Sequence, residues 1–175
     1  MAANLDFIKQ VEITAANTTN IEVTNCFDDR YNMYKIFFNI QEVGAEVAME
    51  FRLIDSGGNV ISDAEYDHAY RFMTSINSNS DGSTEGADKW QFFMYGEEAV
   101  GGFVVMDIYN PYDSNLYTFA HWDMTSHYLA SSTATQMVRH GIGVHKVKES
   151  ITGFRIYGGS ANIDKALASV YGVRE

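Results

Sequence analysis

At 175 residues, 46% of them hydrophobic, the chain is long enough for one domain that buries roughly 70% of the surface its unfolded form exposes. A net charge of −11, from 12 basic and 23 acidic side chains, argues against nucleic acid and anionic membranes as partners, since phosphate binding relies on clustered Lys and Arg. The single cysteine, Cys26, excludes an intramolecular disulfide, and 14 glycines with one proline suit short strands and tight turns better than a helical bundle.

Asp6 to Thr14 and Thr18 to Thr24 read as the first strands, broken at Asn17 to Asn20. Cys26 to Asn32 is a polar loop in which Asp28 and Asp29 favour a turn. Tyr31 to Ile40 places Tyr34, Ile36, Phe38 and Ile40 on one face, and Val47, Met49, Phe51 and Leu53 alternate with polar residues in the next strand. Asp55-Ser56-Gly57-Gly58-Asn59 looks like a hairpin connection to Val60 and Ile61. From Glu65 to Met73, Tyr66, His68, Tyr70 and Phe72 keep strict period two, so this run is also a strand.

Ser75 to Ala87 is rich in Ser, Asn and Gly and is expected to be an exposed polar loop. Lys89 to Tyr95, Gly102 to Tyr109 and Leu116 to Trp122 are three more strands, the last two separated by the turn Asn110 to Asn115. Asp123 to Thr135 reads as a polar crossing and Thr135 to His140 as a short strand. Gly141-Ile142-Gly143 is expected to reverse the chain before Val144 to Lys148 extends it. Ser150 to Arg174 closes the chain as two period-two strands around a Gly158-Gly159-Ser160 turn, with Phe154, Ile156 and either Leu167 or Val170 expected in the core.

Ten to twelve short strands without βαβ spacing predict an all-β protein: one domain over 1–175, a two-sheet antiparallel β-sandwich with little helix, jelly-roll topology being preferred. The lone cysteine suits assembly in a reducing cytoplasm; the N-terminal residues show neither a basic leader nor an apolar signal run, and no stretch approaches the length of a membrane span.

Signs of catalysis are few. There is no Gly-x-Ser-x-Gly elbow, and Asp28 and Asp29 are expected to raise the Cys26 thiol pKa. Glu97 and Glu98 are adjacent, hence on opposite faces of a strand, and the glycines at 57, 101 and 158 lack a Walker lysine. His140 and His145 have no third ligand at a defined offset, and Asp55, Asn59 and Asp63 lack the twelfth-position glutamate and helix pair of a calcium loop, so a turn explains them. No enzyme activity, cofactor or metal is therefore expected. Aromatic rings stack on sugars, so Trp90, Tyr95, Tyr112 and Trp122, with Asp113 and Asn115 nearby, are candidate glycan or interface contacts. The preferred reading of both tryptophans is as core or interface aromatics.

Three segments carry a resemblance. They are the Tyr31-x-x-Tyr34-Lys35-Ile36 pattern, the block around Ile108-Tyr109-Asn110-Pro111, and the run from Ile151-Thr152-Gly153-Phe154-Arg155 to Val170-Tyr171-Gly172-Val173. Together they resemble small β-sandwich structural proteins of tailed-bacteriophage virions, of the tail-fibre and decoration kind, over nearly the whole chain. Lys165-Ala166 departs from the family's glycine before the last strand. The resemblance implies a non-enzymatic virion component, assembled in the host cytoplasm, that decorates or cements the capsid or belongs to the tail. Its implied partners are major capsid or tail proteins and further copies of itself, a trimer being preferred. Carbohydrate recognition of a host receptor is the alternative.

Overall fold

The computed structural model describes residues 4–14, 18–43, 49–76, 79–92, 101–130, 133–158 and 162–174. Among these residues there are twelve strands and no helix: β1 (Leu5–Ile13), β2 (Asn20–Val23), β3 (Met33–Val43), β4 (Met49–Asp55), β5 (Tyr66–Thr74), β6 (Asn79–Ala87), β7 (Trp90–Phe92), β8 (Gly102–Tyr109), β9 (Thr118–Ala130), β10 (Thr133–His145), β11 (Ile151–Gly158) and β12 (Ile163–Val173). They form an eight-stranded antiparallel sheet of order β1-β12-β3-β8-β9-β10-β5-β6 and a four-stranded one of order β2-β11-β4-β7. The expected β-sandwich is therefore the fold.

The strand order contains a jelly roll with two insertions. β1-β12-β3-β8 and β2-β11-β4-β7 divide chain neighbours between the sheets: β1 from β2, β3 from β4, β7 from β8 and β11 from β12. A ribbon rolled as a double Greek key has this order. β5-β6 is inserted between β4 and β7, and β9-β10 between β8 and β11; the two hairpins line up beyond β8 and double the large sheet.

Alternation explains why these residues form strands. Tyr34, Ile36, Phe38 and Ile40 on β3, Val104, Met106 and Ile108 on β8, and Ala166, Ala168 and Val170 on β12 point into one shared core, while their neighbours point out. Burying each large apolar side chain contributes about 1.5–3 kcal/mol. An aromatic column crosses the core: Phe154 stacks on Phe51 at 5.0 Å, Phe51 on Trp90 at 5.7 Å, and Trp90 lies 6.5 Å from Trp122. It joins the small sheet to the inserted part of the large one.

Several expectations need correction. The last two strands do not form a hairpin. β11 belongs to the small sheet and β12 to the large one, and Gly159-Ser160 of the expected turn lies outside the described residues. Phe154, Ile156 and Val170 are nonetheless buried, as expected. Within Ser75 to Ala87, Asn79–Ala87 is not a loop but the edge strand β6, paired along β5. Its side chains are mostly exposed, so backbone hydrogen bonds hold it and the sequence carries no apolar alternation.

Nor does Gly141-Ile142-Gly143 reverse the chain, and Asp123 to Thr135 is not a crossing. β9 and β10 run 13 residues each, and β10 passes straight through both glycines. A Cβ on Gly141 would lie 2.1 Å from Trp122 Cε2, and one on Gly143 would lie 2.6 Å from Trp90 Nε1. The glycines make room for the tryptophan rings, a use of glycine that looks like a turn signal in sequence.

Candidate functional site

With one set of side chains committed to the core, the other set forms the outer face of the eight-stranded sheet, and register arranges it in rows. One row runs Phe7, Tyr171, Lys35, Asp107 across β1, β12, β3 and β8, and continues as His121, Ile142, Ala69, Ser83 across β9, β10, β5 and β6. The neighbouring row ends in Asp123, His140, Arg71 and Asp81 on the same four last strands.

The jelly-roll half of this face is aromatic. Phe7 meets Tyr171 edge-on at 5.6 Å, Tyr171 meets Phe37 edge-on at 5.6 Å, and Phe37 stacks against Phe103 at 6.3 Å. Four rings thus cross four strands, with Phe7 58% and Phe103 43% exposed. The charges beside them, Lys35 and Asp107, pair with each other at 2.5 Å.

The inserted half is hollowed and mixes exposed charges with exposed apolar side chains, Ile142 at 60% and Phe119 at 46%. Two adjoining depressions of about 560 and 550 Å³ share Ala69, Ser83, His121 and Ile142 as lining. Phe119 and Asp67 line one of them, and Arg71, Asp81 and His140 the other. His140 Nδ1 is hydrogen-bonded to Asp123 Oδ1, and Arg71 Nε lies 3.6 Å from Asp81 Oδ1. Exposed pairs of this kind contribute only about 0–1 kcal/mol.

The candidate aromatics are not brought together on this face. Trp90 and Trp122 are completely buried, Trp90 Nε1 donating to Val144 O at 3.4 Å. Without an accessible ring face neither stacks on a sugar, and both are core aromatics. Tyr112 is exposed in the turn after β8, lining a separate notch of about 360 Å³ with Asp113, Asp28 and Ser150; Tyr95 lies outside the described residues. Asn115 N and Nδ2 both bind Asp113 Oδ1, which makes that pair a turn.

Cys26 is buried, and desolvation is the main cause that pushes its thiol pKa far up; Asp28 adds to this only slightly. It is an unreactive core thiol. Asp55 accepts hydrogen bonds from Asn59 and from the Gly57 and Gly58 backbone, which lowers its pKa and accounts for the Gly-Gly turn without a cation. His140 points outward, but His145 is buried, and its Nε2 faces Glu65 and Glu149. Sequence spacing did not reveal that grouping, because Glu65 is brought to His145 by strand pairing across 80 residues. The outer aromatic band was legible only as every second residue of strands whose other face was the obvious one.

No family model and no curated protein matches the chain. Among solved structures it is similar to an alginate lyase from Alteromonas sp.272, at 8% identity over 94% of this chain and 88% of that one, with a TM-score of 0.28. A Caenorhabditis elegans galectin, LEC-6, matches at 10% identity over 83% of this chain and 96% of that one, with a TM-score of 0.25. The infectious bursal disease virus Gx strain matches at 8% identity over 95% of this chain and 41% of that one, with a TM-score of 0.14. At such scores none of these bears on activity.

Proposed function

We propose that the chain is a non-enzymatic structural component of a tailed-bacteriophage virion, on the capsid surface or in the tail, and that it assembles with further copies of itself through the aromatic half of the outer sheet face. The band Phe7, Tyr171, Phe37 and Phe103, exposed at Phe7 and Phe103 and half-buried between them, carries the assembly reading. Contiguous exposed apolar surface marks interaction sites, and aromatic residues are enriched at their centres. Because Lys35 and Asp107 pair with each other, the band is close to neutral on a chain of net charge −11. Two copies therefore meet there with less repulsion than elsewhere. The virion assignment rests on the sequence resemblance.

Analytical ultracentrifugation, alone and with purified shell or tail protein, tests the assembly. An oligomer that dissociates in a Phe7→Ser, Phe103→Ser double variant is expected. Wild-type monomer under both conditions, with no density of this size on a particle map, would sink the proposal.

The two adjoining hollows favour a second reading, carbohydrate recognition by the inserted half, with Phe119, 46% exposed, as the stacking ring. A glycan array on wild type and Phe119→Ala decides it. No wild-type hit, or hits unchanged in the variant, removes this reading.

A further inference from the structure

Away from the outer face, the end of β10 brings three ligand-type atoms together. His145, the last residue of β10, is completely buried. Its Nε2 lies 3.1 Å from Glu65 Oε2 and 3.6 Å from Glu149 Oε1, and all three atoms fall within 4.8 Å of one another. Glu65 immediately precedes β5 and Glu149 lies two residues before β11. Backbone bonds fix these segments: Lys146 N donates to Glu65 O at 2.8 Å, Glu65 N to Asp63 O at 2.8 Å, and Ile151 N to Pro111 O at 2.7 Å. The main chain thus holds the carboxylates close to each other.

The local charge is unfavourable as it stands. Burial and the negative charges of Glu65, Asp55 and Asp63 push the Glu149 carboxyl above its usual range. Lys146, the adjacent base, is engaged by Asp67 at 2.7 Å. Burial outweighs the attraction of Glu65 and favours a neutral imidazole.

A neutral imidazole carries one ring hydrogen. On Nδ1, it leaves an Nε2 lone pair facing two carboxylates. On Nε2, it leaves Nδ1 as a buried acceptor with no hydrogen-bond partner among the described residues. The first tautomer strands its Nδ1–H as well, so it leaves both ring nitrogens unsatisfied and the second leaves one; a cation on Nε2 removes the lone-pair repulsion there and leaves Nδ1–H as the remaining cost. The spacing fits a cation as well. Zinc binds histidine nitrogen and carboxylate oxygen at about 2.0–2.2 Å, so neighbouring ligands on a tetrahedron stand about 3.3–3.6 Å apart. The two separations from Nε2 lie at or just below that range, and the two carboxylate oxygens, within 4.8 Å of each other, would close on the ion.

We propose that Glu65, His145 and Glu149 form a binding site for a divalent transition-metal ion of the zinc class, with a fourth position open to water. Imidazole with two carboxylates favours zinc, and manganese more weakly, over magnesium, which prefers an octahedron of oxygens. The site ties the start of β5 and the end of β10, both from the inserted hairpins, to the segment that enters β11 of the jelly roll. It lies apart from the outer face.

The test uses the full chain, stripped with a chelator and titrated with Zn²⁺, Mn²⁺ or Mg²⁺ by calorimetry and thermal unfolding. Expected are one saturable zinc site, a rise in Tm with zinc, a smaller rise with manganese and none with magnesium. Glu65→Gln and Glu149→Gln should each weaken zinc binding at least about tenfold, the lower end of the cost of losing even an outer-shell partner. Because Glu149→Gln also removes a repelled charge, its metal-free Tm should equal or exceed that of wild type, so weak binding cannot be blamed on misfolding. His140→Ala, on the outer face, should leave binding unchanged. The proposal is overturned if zinc does not bind saturably, if both glutamine variants bind as wild type does, or if His140→Ala alone abolishes binding.

Discussion

The two halves of the eight-stranded sheet present opposite solutions to the same packing problem. Beneath β1-β12-β3-β8 the core is apolar, built from Ile36, Phe38, Ile40, Val104, Met106, Ile108, Ala168 and Val170. Beneath β9-β10-β5 it is made of tryptophans laid on glycines, with His68, Thr118, Ser126, Arg139 and His145 buried among them. Arg139 lies 4.0 Å over the Tyr70 ring and 5.5 Å from that of Phe72, which gives its charge aromatic faces to rest on. The first half is held by apolar area, which tolerates exchange of one hydrocarbon for another. The second depends on the fit of rings against glycines and carries buried polar atoms with no hydrogen-bond partner among the described residues, His68 Nδ1, Thr118 Oγ1, Ser126 Oγ and His145 Nδ1, so single atoms and single protons upset it.

The largest expected effect is on the apolar side. Phe154 touches both Phe27 and Phe51, so Phe154→Ala opens a cavity where the two sheets meet and should cost about 3–5 kcal/mol in urea unfolding. Phe154→Leu, which keeps most of the hydrocarbon, should recover the larger part. If both variants lose equally, the apolar half also depends on ring shape and the contrast fails.

Next comes Gly141→Ala. The added methyl meets the Trp122 ring at 2.1 Å, and overpacking of this kind costs about 1–3 kcal/mol. A double-mutant cycle sharpens the attribution. In a Trp122→Leu background the glycine substitution should cost clearly less, since the ring it strikes is gone. Equal costs in both backgrounds would mean that the strand backbone, not the tryptophan, requires glycine.

These two substitutions also show how far the sequence could be read. β3 was legible because Tyr34, Ile36, Phe38 and Ile40 alternate with a second face, and β8 because its run is nearly continuous in apolar residues. β8 lies where that apolar run placed it, at Gly102–Tyr109. β6 was not legible, because both of its faces meet mostly solvent and its register comes from β5. β10 was cut at Gly141 because a glycine that accommodates a distant ring is indistinguishable, in one sequence, from a glycine that turns the chain. The same limit applied to the tryptophans and to Glu65, His145 and Glu149: their positions are consequences of which strands pair.

Acid should discriminate between the halves by a smaller amount. Burial, and then the charge of Arg139, lower the His68 pKa, while Asp67 opposes them. Below the unfolded histidine value of about 6.5, the unfolded chain takes up a proton that folded His68 resists, so this stability is present above that pH and lost as pH falls through it. Asp55, Asp67 and Asp88, with lowered pKa values, lose theirs only further down, below about 3.9. Urea unfolding from about pH 7.5 to 5 should therefore weaken in wild type. His68→Gln should flatten the trend by no more than about 1.4 kcal/mol per pH unit, the ceiling for one proton. An unchanged slope would show that His68 titrates in the native state as it does in the unfolded one.

The smallest effect is expected on the outside of the inserted half, directly above the sensitive core. Asp123 and His140 are both about half exposed, with relative side-chain areas of 52% and 53%. Water screens such a pair, and Asp123→Ala should cost less than about 1 kcal/mol. A larger loss would make the charged ladder part of what holds β9 to β10. A small one means that Asp123, His140, Arg71 and Asp81 contribute little to stability, which leaves these exposed charges available to whatever occupies the hollow beside them. Asp123→Ala thereby separates a charged surface that serves the fold from one that serves recognition.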